Sequence, residues 1–323
     1  MLPSLHHAAV ALKRASSVVV CAHVRPDGDA VGSVLALTLA LRSVGVPAVP
    51  TLADDRDPSE TYAWLPGYGL YVPAKDLEAP QVFVALDTPI PERLGVAQSL
   101  CEGAETVVVI DHHPDAKEYG DVHVLESSAA ATGELVWQLL DALEAPSDPD
   151  VALCCYTALL TDTGRFSFQN TTSASLRHAA EMVDAGVDPS MVALHTYQTR
   201  SSASLALEAR AMSRLTCANG NAVAYTWVED NDFVETGARP EEAEHLPEAI
   251  RVVEGIEVAL LLRQRGSEVR GNLRAKTSTD VGSVARHFGG GGHRAASGFT
   301  VENSTVEQVL AQILPMLPGW SGA

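Results

Sequence analysis

Short apolar runs rich in valine alternate with helical stripes through the first part of the chain. Residues 17–21, 47–52, 82–86 and 106–110 form such runs, each bounded by polar or Gly/Pro positions, and they predict strands. Between the first two, Val31, Leu35 and Leu39 recur at helical spacing. Val34, Leu37 and Leu41 widen that stripe, so residues 30–44 are expected to form a mostly buried helix. Strand–helix–strand order implies a parallel sheet with helices on its faces. Ahead of this unit, Leu5, Ala9 and Leu12 share one face of a short amphipathic helix. After Glu126 the pattern turns helical, with candidates at 130–143, 150–160, 173–185 and 201–217 and a further start at Asp188-Pro189-Ser190. Beyond residue 218 alternation returns, at 223–228, 258–263 and 268–275. A helix at 281–288, a glycine run at 289–292, a strand near 297–301 and a helix at 305–317 complete the chain. The expectation is an α/β protein. A mainly parallel sheet flanked by helices occupies residues 1–200, a helical linker 201–217, and a smaller α/β domain 218–323.

A length of 323 residues agrees with two domains rather than one core. No stretch approaches about eighteen consecutive apolar residues, so no membrane span is expected. The first residues lack the basic start, apolar run and small-residue cleavage site of a signal peptide. The five cysteines, Cys21, Cys101, Cys154, Cys155 and Cys217, form no CxxC pair, and three lie inside apolar runs. Small buried thiols in a reducing compartment are expected, with the cytoplasm as the default location. A net charge of −19 argues against long nucleic acids and anionic membranes as partners. Yet residues 263–294 hold seven of the 22 basic residues, opposed only by Glu268 and Asp280, which leaves +5 in an acidic protein. That local excess suits a small anionic substrate.

Four short motifs place carboxylates or imidazoles just past the end of an apolar element. In open α/β sheets, that edge is where ligands bind. The first is His23-Val24-Arg25-Pro26-Asp27-Gly28-Asp29. Asp27 and Asp29 can face one point, Gly28 permits a tight backbone, and Asp29 is placed to cap the next helix. Capping accounts for one aspartate, but not for the second or for His23. Asp87 closes the third strand, where a lone aspartate is usually a turn former. Asp111-His112-His113 follows the fourth strand; one histidine is expected to ligate while its neighbour faces the substrate. Asp162 emerges from an apolar helix and so calls for a charged partner. His23, Asp27, Asp29, Asp87, His112 and Asp162 offer oxygen and imidazole donors without thiolate, which favours manganese or magnesium over structural zinc. Four aspartates balance two divalent ions, and a pair about 3.5–4 Å apart can bind both a nucleophile and phosphoryl oxygens.

In this order and spacing the motifs resemble the DHH phosphoesterase superfamily, whose signature triplet is Asp111-His112-His113 here. The run from Phe288 through Gly289, Gly290, Gly291, Gly292, His293 and Arg294 to Phe299 resembles its DHH-associated C-terminal domain. Chain length is most similar to the oligoribonuclease/pAp-phosphatase (nano-RNase) branch, whose relatives also hydrolyse cyclic di-AMP. The resemblance implies that His23 and Asp27 hold one manganese ion, that Asp29, His112 and Asp162 hold the other, and that Asp87 bridges them. Magnesium and cobalt are alternatives. It further implies that Asp111 orients a histidine and that His113 contacts the scissile phosphate or protonates the leaving oxygen. Gly290, Gly291, Gly292, His293 and Arg294 would receive a phosphate or nucleotide end, with Arg274 as the next candidate and Arg165 as a stabiliser of transition-state charge.

The implied activity is hydrolysis of short oligoribonucleotides (nanoRNA), pAp, or cyclic di-AMP and its linear product pApA, by a metal-bridging hydroxide attacking phosphorus. Two rivals remain at this level. An inorganic pyrophosphatase shares the N-terminal motifs but not the glycine signature, and a nucleotide sensor would bind without turnover. Monomer and homodimer are both open.

Overall fold

The computed structural model describes residues 2–55 and 60–319, in two compact units, Met1–Thr199 and Arg200–Ala323. The first unit contains strands β1 (Val18–Cys21), β2 (Ala48–Pro50), β3 (Val82–Leu86), β4 (Thr106–Asp111) and β5 (Val122–Leu125). They form one sheet in the order β2-β1-β3-β4-β5, and every pairing is parallel. Its helices are α1 (Pro3–Lys13), α2 (Gly28–Ser43), α3 (Gln98–Glu102), α4 (Thr132–Leu143), α5 (Pro149–Asp162), α6 (Ser173–Asp184) and α7 (Pro189–Tyr197).

Valine-rich strands suit a sheet covered on both faces, because each side chain of the pleat then meets apolar surface. Val18, Val20, Val84, Leu86, Val108 and Ile110 enter one core with α1, α2, α4 and α5. Cys21, Phe83, Ala85, Val107 and Val109 enter a second core with Leu94, Ala97 and Leu100. Three helices cross closely on the first face. A Cβ on Gly32 of α2 would lie 2.5 Å from Cys154 O, and one on Gly133 of α4 would lie 2.4 Å from Ala158 Cβ. Glycine within a helix costs roughly 0.5–1 kcal/mol relative to alanine. Here it allows α5 to approach both neighbours.

The second unit contains α8 (Ser202–Ser213), β6 (Thr216–Ala218), β7 (Val223–Glu229), α9 (Asp230–Thr236), α10 (Leu246–Arg251), β8 (Val258–Arg265) and β9 (Glu268–Ala275). It ends with α11 (Val281–His287), β10 (Gly291–Gly292), β11 (Ala296–Val301) and α12 (Val306–Ile313). The sheet order is β10-β11-β9-β8-β7-β6, with β7 and β8 parallel and the other pairs antiparallel. One core packs Leu260, Leu262 and Leu273 against α11 and α12, while Ala259 and Leu261 meet α8 and α10 on the other side.

One local expectation is corrected, and two short strands are added. The helix expected at 201–217 stops at Ser213, and Thr216–Ala218 is an edge strand of the second sheet. The cause is the turn Asn219-Gly220-Asn221, whose three residues all have positive φ and return the chain as a hairpin. Helix α8 belongs to the second unit's own core through Leu207 and Ala211. Strand β5 was not expected: it is four residues long, only partly buried, and interrupted by His123. Finally, Gly291 and Gly292, within the glycine run, form a short edge strand by pairing with Gly298 and Ser297.

Candidate active site

Strands β1, β3 and β4 are neighbours and point the same way, so the segments after Cys21, Leu86 and Ile110 meet at one edge of the sheet. His23 follows β1 and is buried. Asp87 follows β3 at φ 52°, a left-handed conformation that an L residue adopts only under local constraint. Asp111 ends β4, with His112 and His113 beyond it, and Asp162 is the last residue of α5. The cap of α2 is Asp27 rather than Asp29: its Oδ1 accepts the Asp29 and Ala30 N–H groups, both at 3.1 Å. Asp29 instead lies in the first turn, buried, and reaches across the sheet edge.

The side chains fall into overlapping groups whose ligand atoms lie within 4.8 Å of one another. One is His23, Asp27 and Asp87; another is Asp29, Asp87 and His112; a third is Asp87, Asp111 and His113. Asp87 belongs to all three. His23 Nε2 lies 3.3 Å from Asp87 Oδ2, and His112 Nε2 lies 3.6 Å from oxygens of Asp29, Asp87 and Asp162 alike. His113 Nδ1 meets Asp111 Oδ1 at 2.9 Å, and that oxygen also accepts the His113 N–H at 2.6 Å. Asp111 Oδ2 is buried without a hydrogen-bond partner.

The donor set fits divalent metal. His23 Nδ1 lies 2.8 Å from Val24 O and His112 Nδ1 lies 3.3 Å from Ala129 O. A carbonyl can only accept, so Nδ1 carries the proton in each ring and Nε2 faces the carboxylates. A lone pair aimed at carboxylate oxygens needs a cation between them, either a proton or a metal ion. The titration behaviour agrees. Burial raises Asp29 well above the usual carboxylate range, and neighbouring Asp87 adds to the effect. Burial also lifts Asp162, to about 6. For Asp87 burial acts upward too, but His113 and His23 outweigh it and hold the carboxyl well below its ordinary value. His112 is raised because the carboxylates of Asp162, Asp29 and Asp87 overcome the burial that opposes its charge. His113 is pushed up to about 10 against the same burial, chiefly by its hydrogen bond to Asp111.

Several partners of these groups carry no signal in the sequence. Thr132 and Gly133 donate their N–H groups to Asp29 at 2.7 and 2.9 Å, and Ser33 Oγ adds a third bond at 2.9 Å. Thr132 Oγ1 donates to Asp87 at 3.1 Å, and Asn170 Nδ2 donates to Asp162 Oδ2 at 3.2 Å. The remaining sequence candidates are divided between the two units. Arg165 follows α5 with its guanidinium 4.8 Å over the Tyr197 ring. In the second unit Arg274 is bound to Glu248 at 2.8 Å, and Arg294 donates to Ser278 O at 2.8 Å. His293 occupies the turn between β10 and β11. Gly290 lies so close to β11 that a Cβ would sit 2.1 Å from Gly298 O, and Gly292 has φ 125°. These two glycines are required by the backbone itself.

The chain is thus an α/β protein whose parallel sheet gathers carboxylates and imidazoles at its carboxyl edge, where such sheets bind ligands. Residues 17–159 match the DHH family, N-terminal domain, and residues 220–318 match the DHHA1 domain. The chain is 32% identical over 299 residues to the bifunctional oligoribonuclease and PAP phosphatase NrnA of Thermus thermophilus, a match covering 92% of this chain and 88% of that one. The protein of the same name from Bacillus subtilis is 26% identical over 301 residues, covering 92% and 93%. An exopolyphosphatase-related protein from Bacteroides fragilis shares the fold with a TM-score of 0.89 at 22% identity, over 97% of this chain and 96% of that one. The chain belongs to the DHH family of phosphoesterases. Among the described residues no helix is long and apolar enough to cross a membrane.

Proposed function

We propose that this hydrolase cleaves phosphate esters of short oligoribonucleotides and of pAp, with cyclic di-AMP and pApA as further substrates and two manganese ions as cofactors. The observation that carries the reading is the sharing of Asp87 between the His23/Asp27 group and the Asp29/His112 group. A carboxylate common to two ligand groups is what a bridged ion pair requires. In this reading His23 and Asp27 serve one ion, Asp29, His112 and Asp162 the other, and Asp87 both. When bound, such ions lower the pKa of water and neutralise charge on phosphoryl oxygens. The hydrogen bond of His113 Nδ1 to Asp111 favours the protonated ring, which can deliver a proton to the leaving oxygen. Asp111 holds that ring through Nδ1, leaving Nε2 as the donating atom. The names of the relatives from Thermus thermophilus and Bacillus subtilis support the substrate class.

Recognition of a phosphate or nucleotide end is assigned to Gly290, Gly291, Gly292, His293 and Arg294, with Arg165 aiding charge stabilisation. Arg274 joins them only by releasing Glu248. All five cysteines are free and four are buried, which supports a cytoplasmic, reducing setting.

The test is a panel of pApA, pAp, cyclic di-AMP, a dinucleotide and pyrophosphate, each incubated with manganese. Asp87→Ala and His113→Ala are assayed beside the wild type. Turnover of the nucleotides, lost in both variants, is expected. Unchanged turnover in either variant ends the mechanism, cleavage of pyrophosphate alone marks a pyrophosphatase, and binding without any turnover marks a sensor.

A further inference from the structure

One stretch of six residues, 129–134, bonds directly to three of the six candidate ligands and reaches a fourth through Asn170. Ala129 O meets His112 Nδ1 at 3.3 Å. Ala130 O accepts from Asn170 Nδ2, which also bonds to Asp162. Ala131, the cap residue of α4, offers no side chain to the first N–H groups of that helix. Those donors bind Asp29 instead, a carboxylate 103 residues away in sequence from Thr132. The helix terminus thereby gains an anion, and the carboxylate gains a fixed orientation. The stretch is itself braced: Glu134 is buried, accepts the Ala130 N–H at 2.7 Å, and binds His178 Nδ1 at 2.7 Å.

Within it, Thr132 is fully buried and makes two bonds to ligand residues at once. Its N–H holds Asp29 Oδ2 at 2.7 Å and its hydroxyl holds Asp87 Oδ1 at 3.1 Å. We propose that Thr132 is a positioning residue that sets the separation of Asp29 from Asp87, and so the spacing of the two ligand groups that share Asp87. The proposal rests on the two-ion reading above. Oxygens of both carboxylates must approach one cation in the Asp29/Asp87/His112 group. Two carboxylates that close repel each other, and a donor bonded to both restrains them without adding charge. Removing the hydroxyl leaves Asp87, among the described residues, with His23 and His112, which must themselves serve ions, and with His113, which must face the substrate.

The experiment compares wild type, Thr132→Val and Thr132→Ser by calorimetric titration with manganese alone and by steady-state kinetics on pApA. Thr132→Val is expected to weaken uptake of the second ion by about tenfold or more and to lower kcat comparably, the range seen when partners of metal ligands are removed. KM should stay within about twofold, since the interaction acts on spacing of the reacting groups and not on substrate binding. Thr132→Ser, which keeps the hydroxyl, is expected to restore both. Should Thr132→Val fail to fold, Thr132→Ala takes its place against Thr132→Ser with the same expectations. Wild-type affinity and kcat in the variant without a hydroxyl overturn the proposal. So does an equal loss in Thr132→Ser, because the effect then follows the fit of the side chain and not the hydroxyl bonded to Asp87. A wild type that binds no manganese, or one ion only, overturns the two-ion reading itself, and this is seen before any variant is made.

Discussion

Asp87 concentrates more of the chemistry than any other residue, and the reason is positional. It follows the central one of three adjacent parallel strands, so His23 from one side and His112 and His113 from the other all reach it. Asp27 touches one ligand group only and is exposed. Asp87→Asn is therefore expected to remove both ions and lower kcat by more than about a hundredfold, beyond the range for outer partners. Asp27→Asn should remove one ion; calorimetric stoichiometry decides between these outcomes. A second expectation concerns His178, whose hydrogen bond to Glu134 raises its pKa above the ordinary 6.5. The folded chain then holds the proton more tightly than the unfolded chain. The resulting stability is complete below the unfolded value and is lost as pH rises through the raised folded value. His178→Ala should lower the urea midpoint most near about pH 5.5, with the gap to wild type narrowing in alkaline buffer. A gap that does not change with pH would take the protonated ring out of the account.

At the scale of elements, the site depends on how closely α5 can lie to α2 and α4. Asp162 is the last residue of α5, so displacement of that helix moves a proposed ligand as well as a core. Gly32→Ala places a methyl group 2.5 Å from Cys154 O, a backbone atom that cannot turn away. A loss of about 1–3 kcal/mol in urea unfolding is expected, the usual cost of overpacking. Manganese affinity should fall in the same variant although Gly32 touches no ligand. If stability falls while affinity holds, Asp162 does not follow α5.

Taken whole, the molecule has two units with separate cores, and the six residues proposed to hold the ion pair lie in the first. Manganese should therefore raise the unfolding of the first unit selectively, by about 2.7 kcal/mol at a hundredfold excess over Kd. Scanning calorimetry with and without chelator reads this directly, and equal shifts of both transitions would contradict it. Much of the architecture is legible along the chain. Val82–Leu86 and Glu268–Ala275 occupy the spans that their composition predicts, because a strand buried on both faces must be apolar throughout and one half-buried must alternate. The closeness of His23, Asp27, Asp29, Asp87 and His112 is legible too, since they follow neighbouring strands of one parallel sheet at the same edge. Short edge strands such as Val122–Leu125 and Thr216–Ala218 are not, because their order comes from a neighbour and not from their own pattern. Sequence alone thus determined the elements, the chemistry of the cluster and its edge of the sheet. Tertiary structure decided that Asp27 rather than Asp29 caps α2, and that Thr132, Asn170 and Glu134 support the cluster. Hydrogen bonds between residues as far as 104 positions apart depend on how strands and helices are stacked, and no local periodicity encodes that.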